Sequence, residues 1–156
     1  MEDVTLLLQQ RPLSAAEMQL LLTADPSETQ ILGYLPQSIV FRLCKQNDTI
    51  GILVMGQQPD QAEIFNIAVD GRLQRRGYGR QLLAAAIEWG REHHLDQITI
   101  GTGNSSIGQL ALYQQCGFDI YDIIYHYFSD HYPEPIIENN IPCKHMIRLR
   151  YLINNL

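Results

Sequence analysis

The run Ile67-Ala68-Val69-Asp70-Gly71-Arg72-Leu73-Gln74-Arg75-Arg76-Gly77-Tyr78-Gly79-Arg80 is the most informative stretch of the chain. Three apolar residues end what reads as a strand, and a short loop crowded with Gly and Arg follows. From there Leu82, Leu83, Ala86, Ile87 and Gly90 recur at helical spacing, which predicts an amphipathic helix over residues 79–92. A helix start offers unpaired N–H groups and a positive dipole end, so this joint suits an anion. Gly77 and Gly79 let backbone approach that anion without a Cβ in the way. Arg75, Arg76 and Arg80 add charge-assisted hydrogen bonds.

Two known anion-binding loops do not fit these residues. A Walker A loop needs G-x-x-x-x-G-K-[ST], and no such Lys-[ST] pair is present. A dinucleotide loop needs a third Gly beyond Gly77 and Gly79, and that place holds Leu82. A second glycine loop, Gly101-Thr102-Gly103-Asn104-Ser105-Ser106, fails the same test because Ser106 stands where the third Gly belongs. The spacing that fits is Q-x-x-G-x-G, from Gln74 to Gly79.

Outward from this loop, the apolar pattern predicts strands over residues 4–10, 38–45, 49–55, 62–69, 97–100, 118–128 and 146–153. Ser14 and Glu17 form a capping box that opens a helix through Leu22. A short helix over residues 27–35 is stopped by Pro36, and another over 106–115 ends at Gly117 in a C′ position. Strands run first as a meander and then alternate with helices. That order predicts an α/β (α+β) domain, a mixed sheet with helices on both faces. No linker, repeat or low-complexity tract divides the chain, so residues 1–156 read as one domain.

In its Gln74-Arg75-Arg76-Gly77-Tyr78-Gly79 segment the sequence resembles the GNAT superfamily of N-acetyltransferases. A second block strengthens the resemblance. Asn104, followed by Ala111-Leu112-Tyr113-Gln114-Gln115-Cys116-Gly117-Phe118, is similar to the family's Asn…Leu-Tyr-x-x-x-Gly-Phe segment. The run Phe65-Asn66-Ile67-Ala68-Val69 before the loop looks especially like the branch that acetylates ribosomal protein N-termini. The resemblance implies a mostly antiparallel sheet of six or seven strands and acetyl-CoA as acyl donor, with no metal. It implies that backbone amides of residues 74–80 hold the pyrophosphate. Ile67, Ala68 and Val69 then bond the pantetheine and acetyl carbonyl from an open strand edge, the Val69 N–H stabilising the oxyanion. Asn104 borders the thiol end.

The resemblance also implies a general acid in Tyr113, near the coenzyme sulfur. The base is harder to place. The N-terminal-acetylating branch carries a Glu on the strand before the second block, where this chain has Ile98-Thr99-Ile100-Gly101-Thr102. Glu63 on the preceding strand is the substitute, since other family members hold a base there. His126, His131 and Glu134 fall where the family forms its acceptor wall, whereas His93 and His94 read as cations at a helix C-terminus. A variant of the same reading is an acyl-CoA-binding sensor that turns nothing over.

Charge and composition narrow the partners. A net charge of −6 disfavours nucleic acid and is compatible with an amine acceptor, either a small amine or a peptide N-terminus. Cys44, Cys116 and Cys143 lack metal spacing and read as thiols of a reducing cytosol. The start Met-Glu-Asp-Val-Thr lacks the features of a signal peptide, and no apolar run has membrane-spanning length. The expectation is a cytoplasmic enzyme, monomer or homodimer, with no membrane or nucleic-acid partner.

Overall fold

The computed structural model describes residues 4–153; the leader reading of Met1, Glu2 and Asp3 lies outside them. In chain order the elements are β1 (Val4–Leu7), α1 (Ala15–Ala24), α2 (Glu28–Tyr34), β2 (Ser38–Lys45), β3 (Asp48–Gln57), β4 (Gln61–Val69), α3 (Tyr78–Glu92) and β5 (Gln97–Gly103). There follow α4 (Ile107–Gln115), β6 (Asp119–Ile124), α5 (Tyr127–His131), β7 (Ile137–Glu138), β8 (Ile141–Pro142) and β9 (Met146–Leu152). Seven strands form one mixed sheet in the order β1-β2-β3-β4-β5-β9-β6. Its parallel pair is β4 with β5; the other neighbours are antiparallel.

Side-chain alternation along β2 and β3 divides the core in two. Val40, Ile52 and Val54 face Leu21 of α1 and Ile31 of α2, while Phe41, Leu43, Leu53 and Met55 face Leu82, Leu83 and Ala86 of α3. The expected α3 stripe is the buried one, and Tyr78 joins it at the helix start.

The capping box on α1 is present, with the Ser14 hydroxyl accepting from the Glu17 N–H at 3.1 Å. Glu17 does more than cap. Its carboxylate also accepts from Arg42 Nε at 2.7 Å, the Thr49 hydroxyl at 2.7 Å and Arg11 at 3.0 Å. A buried ion pair therefore fastens α1 to the sheet.

The feature that shapes the site is a bulge in β4. Met55 pairs with Ile64 and Val54 with Asn66, so Phe65 is an extra residue in that strand. A bulge bends its strand, and pairing of β4 with β5 stops at Ile64↔Ile100. Beyond that point the two strands part.

The tail differs from the expected single strand over 118–128. β6 ends at Ile124, His126 turns the chain with a left-handed φ of 63°, and α5 follows. Tyr127 and His131, four residues apart, stack at 4.4 Å, a helical spacing that the aromatic content of the tail obscured. β7 and β8 form a hairpin between the two expected strands, where the apolar pattern predicted no element. Its turn residues Asn139 and Asn140 both have positive φ, 54° and 60°, as a two-residue type I′ turn requires.

Candidate active site

The loop before α3 is built to expose amides. Arg75 and Gly77 have φ of 65° and 85°, with Arg76 between them outside the left-handed region. Such alternation turns successive N–H groups toward a common concavity. Gly77 is the N-cap of α3, and no side chain caps the helix there. Gly79 lines the same cleft as the loop and has a packing role besides: a Cβ on it would lie 3.2 Å from Leu112 Cδ2, so it permits close packing of α3 on α4. Gly77 carries the conformational demand.

The arginines divide. Arg75 and Arg80 line a cleft of about 650 Å³, and Arg80 also hydrogen-bonds Gln115 of α4, whereas Arg76 is exposed outside the lining. Arg72 pairs with Asp70 at 3.0 Å. Gln74 lines the cleft and donates to the Val69 carbonyl at 3.3 Å.

From the loop this first cleft follows the free edge of β4. Asp70 N–H donates to the Ile50 carbonyl at 2.8 Å, and N–H direction alternates along the strand. Ala68 therefore turns its amide toward β3, while Ile67 and Val69 turn theirs to the edge that β5 has left. Ala68 contributes lining rather than a donor.

A second cleft of about 760 Å³ lies beyond, and the two share Ile67, Gln109 and Tyr113 together with Thr23 and Ala24 at the end of α1. Tyr113 is 3% exposed and packs on Phe118, and its hydroxyl has no hydrogen-bonding partner among the described residues. Burial pushes that hydroxyl far above the usual phenol range, so it stays protonated.

Glu63 lines the second cleft from β4. Burial pushes its carboxyl up, opposed by Arg148, whose guanidinium lies 3.7 Å away. A Cβ at Gly101 would meet Met146 Sδ at 2.7 Å, so a carboxylate there would require the Met146 side chain to move. The remaining wall comes from the tail, through Tyr127, Phe128, Tyr132 and Glu138. His126, His131 and Glu134 are not in that lining. His131 Nδ1 sits 2.7 Å from the Tyr127 carbonyl, and the His126 N–H donates to His145. His93 Nδ1 lies 2.8 Å from the Trp89 carbonyl, in keeping with its helix-end reading.

Asn104 lies outside the linings of both clefts. Its Oδ1 accepts from the N–H groups of Lys144 and His145 at 2.8 and 2.9 Å, and its Nδ2 donates to the Pro142 carbonyl at 3.1 Å. Both amide ends are thus committed to holding the segment after the β7–β8 hairpin. The hairpin itself is tied down by Glu138, which accepts from the Ser106 hydroxyl at 2.9 Å, and by Asn139, which donates to the Ser105 carbonyl at 2.8 Å.

An amide-lined mouth thus leads along an open strand edge to a buried hydroxyl, with a carboxylate on the far side. Such a layout can hold an anionic carrier of an acyl group on one side and an acyl acceptor on the other.

Residues 8–118 match the model of the Acetyltransferase (GNAT) family. A curated relative from Bacillus subtilis, the uncharacterized N-acetyltransferase YvbK, is 45% identical over 83% of this chain and 84% of its own. A solved GNAT family acetyltransferase from Elizabethkingia anophelis, with acetyl-CoA bound, has a TM-score of 0.90 and 40% identity, covering 96% of this chain and 97% of that one. The ribosomal protein bS18-alanine N-acetyltransferase of Salmonella typhimurium is 38% identical over 60 residues, 38% of this chain and 40% of its own. Matched over most of its length by the family model and by a relative of equal span, the chain belongs to the GNAT family of acetyltransferases.

Proposed function

We propose that the chain transfers the acetyl group of acetyl-CoA directly to a primary amine while both substrates are bound. The observation that carries this reading is the meeting of two clefts at Tyr113 and Ile67. The bound acetyl-CoA of the Elizabethkingia relative supports the first cleft as the donor side. There the amides of residues 74–80, with Arg75 and Arg80, hold the pyrophosphate, and the edge amides of Ile67 and Val69 face the pantetheine and acetyl carbonyl. The unpaired thiols of Cys44, Cys116 and Cys143 support work in a reducing compartment, the cytosol.

In the reaction the amine nitrogen bonds to the acetyl carbon and the C–S bond breaks. The proton lost by nitrogen goes to Glu63, and the leaving thiolate takes one from Tyr113, which solvent restores. A lysine-like amine must first lose a proton at a cost of about 4–5 kcal/mol at pH 7, an α-amine at about 1 kcal/mol. Glu63 with a raised pKa is a stronger base than an ordinary carboxylate. Tyr113 is a weak acid, but desolvation raises the thiolate's proton affinity in the same place, so donor and acceptor are shifted in the same direction.

The primary test is thiol release from acetyl-CoA across a panel of amines and N-terminal peptides. Release with an amine supports the transfer, and acetyl-CoA binding without release on any acceptor would favour the sensor reading. Two variants probe the halves of the site. Gly77→Val places a β-branched residue at a φ of 85°, a strain of about 1–3 kcal/mol. Acetyl-CoA affinity by calorimetry is expected to fall roughly 10–100-fold, and unchanged affinity would remove this loop from the donor site. Glu63 acts when ionised, and its pKa is raised. The acid limb of kcat/KM therefore climbs with pH above the ordinary carboxylate range. Glu63→Gln is expected to lower kcat about 10²-fold and to erase that limb; a limb that persists assigns the base elsewhere.

A further inference from the structure

Resting on the transfer just described, we propose that the second cleft selects an acceptor with two amino groups. One neutral nitrogen lies beside Tyr113 and Glu63, and a second, protonated one is held by Asp25 at the C-terminal end of α1.

The lining of this cleft includes the carboxylates of Asp25, Glu63 and Glu138 and contains no Lys, Arg or His. Glu63 has Arg148 beside it. Asp25 has no cationic partner among the described residues. It accepts instead from three neutral donors, the Tyr132 hydroxyl at 2.8 Å, the Ser27 N–H at 3.1 Å and the Tyr34 hydroxyl at 3.4 Å. Those dipoles hold the carboxylate in place and leave its charge uncompensated.

Three further features at the same end call for a cation. Leu22, Thr23 and Ala24 line the cleft as the last residues of α1, a helix with no basic residue in its last turn. A helix C-terminus carries about half a negative charge, so it adds to the pull of Asp25. Tyr34 and Phe65, stacked at 5.0 Å, also line the cleft and offer aromatic faces to an ammonium group. The most specific feature is Asn66. It is 5% exposed and lines the cleft, and its Nδ2 donates to the Leu21 carbonyl and the Tyr34 hydroxyl at 3.1 and 3.0 Å. Its Oδ1 has no partner. A buried acceptor without a donor matches an N–H supplied by a ligand.

The Tyr132–Asp25 hydrogen bond ties the tail to the joint between α1 and α2, and both partners line the cleft. An anionic subsite at that joint suits a second ammonium group on the acceptor.

The experiment compares kcat/KM for α,ω-diaminoalkanes of increasing length with n-alkylamines of matched length, by thiol release with wild-type protein. Diamines are expected to exceed monoamines by about 30-fold or more, the low end for a desolvated charge pair, with an optimum chain length. In Asp25→Asn the diamine-to-monoamine ratio is expected to collapse toward unity, the loss residing in KM for the diamine, while calorimetric acetyl-CoA binding reports that the variant is folded. Equal turnover of the two series, preference for N-terminal peptides, or a ratio that survives in Asp25→Asn overturns the proposal and leaves amine acetylation standing. No thiol release with any amine or peptide overturns both. The wild-type length series decides the question even if the variant does not fold.

Discussion

Tyr113→Phe is expected to lower kcat by about 10²–10⁴-fold while acetyl-CoA affinity stays within about two-fold. The substitution removes one oxygen from a side chain that is otherwise a core aromatic on α4, packed against Phe118. The ring remains, so packing is kept. What is lost is the hydroxyl at the junction of the two clefts. Without it the departing thiolate leaves charged in a desolvated place. On the proposed reading the donor's pyrophosphate binds at the far end of the first cleft, so the ground state hardly changes and the loss falls on kcat. Single-turnover thiol release together with calorimetry separates the two quantities. An unaltered rate would reduce Tyr113 to a packing residue and leave the leaving group to be protonated by water. A fall in affinity as large as the fall in rate would mean that α4 had shifted.

Local signals made much of this fold legible in the sequence. The α3 stripe, the Ser14–Glu17 box and Gly117, whose φ is 99°, each express their structure within a few residues. The proposed donor loop could be named from sequence for the same reason, since Gln74 to Arg80 is one contiguous segment. The acceptor wall was not, because it is assembled from Asp25, Glu63 and residues 127–138, which meet only after the β4 bulge opens the sheet. Within the tail, titratable type drew attention to His126 and His131, whereas the lining is made by their neighbours Tyr127 and Tyr132. The Asn139-Asn140 pair between two isoleucines was the available sign of the hairpin. The clasping role of Asn104 was not legible, because its partners at 142–145 lie about 40 residues on. Nor was the packing of Gly79 against Leu112, since α3 and α4 meet only in the fold.

Glu17→Gln is expected to destabilise the protein by about 3–5 kcal/mol, although Glu17 lies in neither cleft. Arg42 is 0% exposed and Glu17 2% exposed, so the pair is removed from water, and the neutral amide would leave a guanidinium buried without its counter-charge. By urea denaturation the midpoint falls at unchanged slope, and the thermal midpoint drops by roughly 10 °C. The pH dependence fixes the cause. Burial raises the Glu17 pKa, but hydrogen bonds from Arg42, Ser14, Arg11 and Thr49 outweigh it and hold the value at about 2. A lowered pKa contributes stability that is complete above the ordinary carboxylate value of 4.5 and is lost as pH falls toward about 2. Wild-type stability should therefore decline across that window, and the decline should be shallower in Glu17→Gln. A Glu17→Leu, Arg42→Met double variant is expected to recover much of the loss, since an apolar pair replaces the ions without leaving either alone. The consequence reaches the site through α1, whose end supplies Thr23 and Ala24 to both clefts. A single variant within about 1 kcal/mol of wild type would mean that Arg42 finds water or another anion, and that the ion pair does not hold α1 against the sheet.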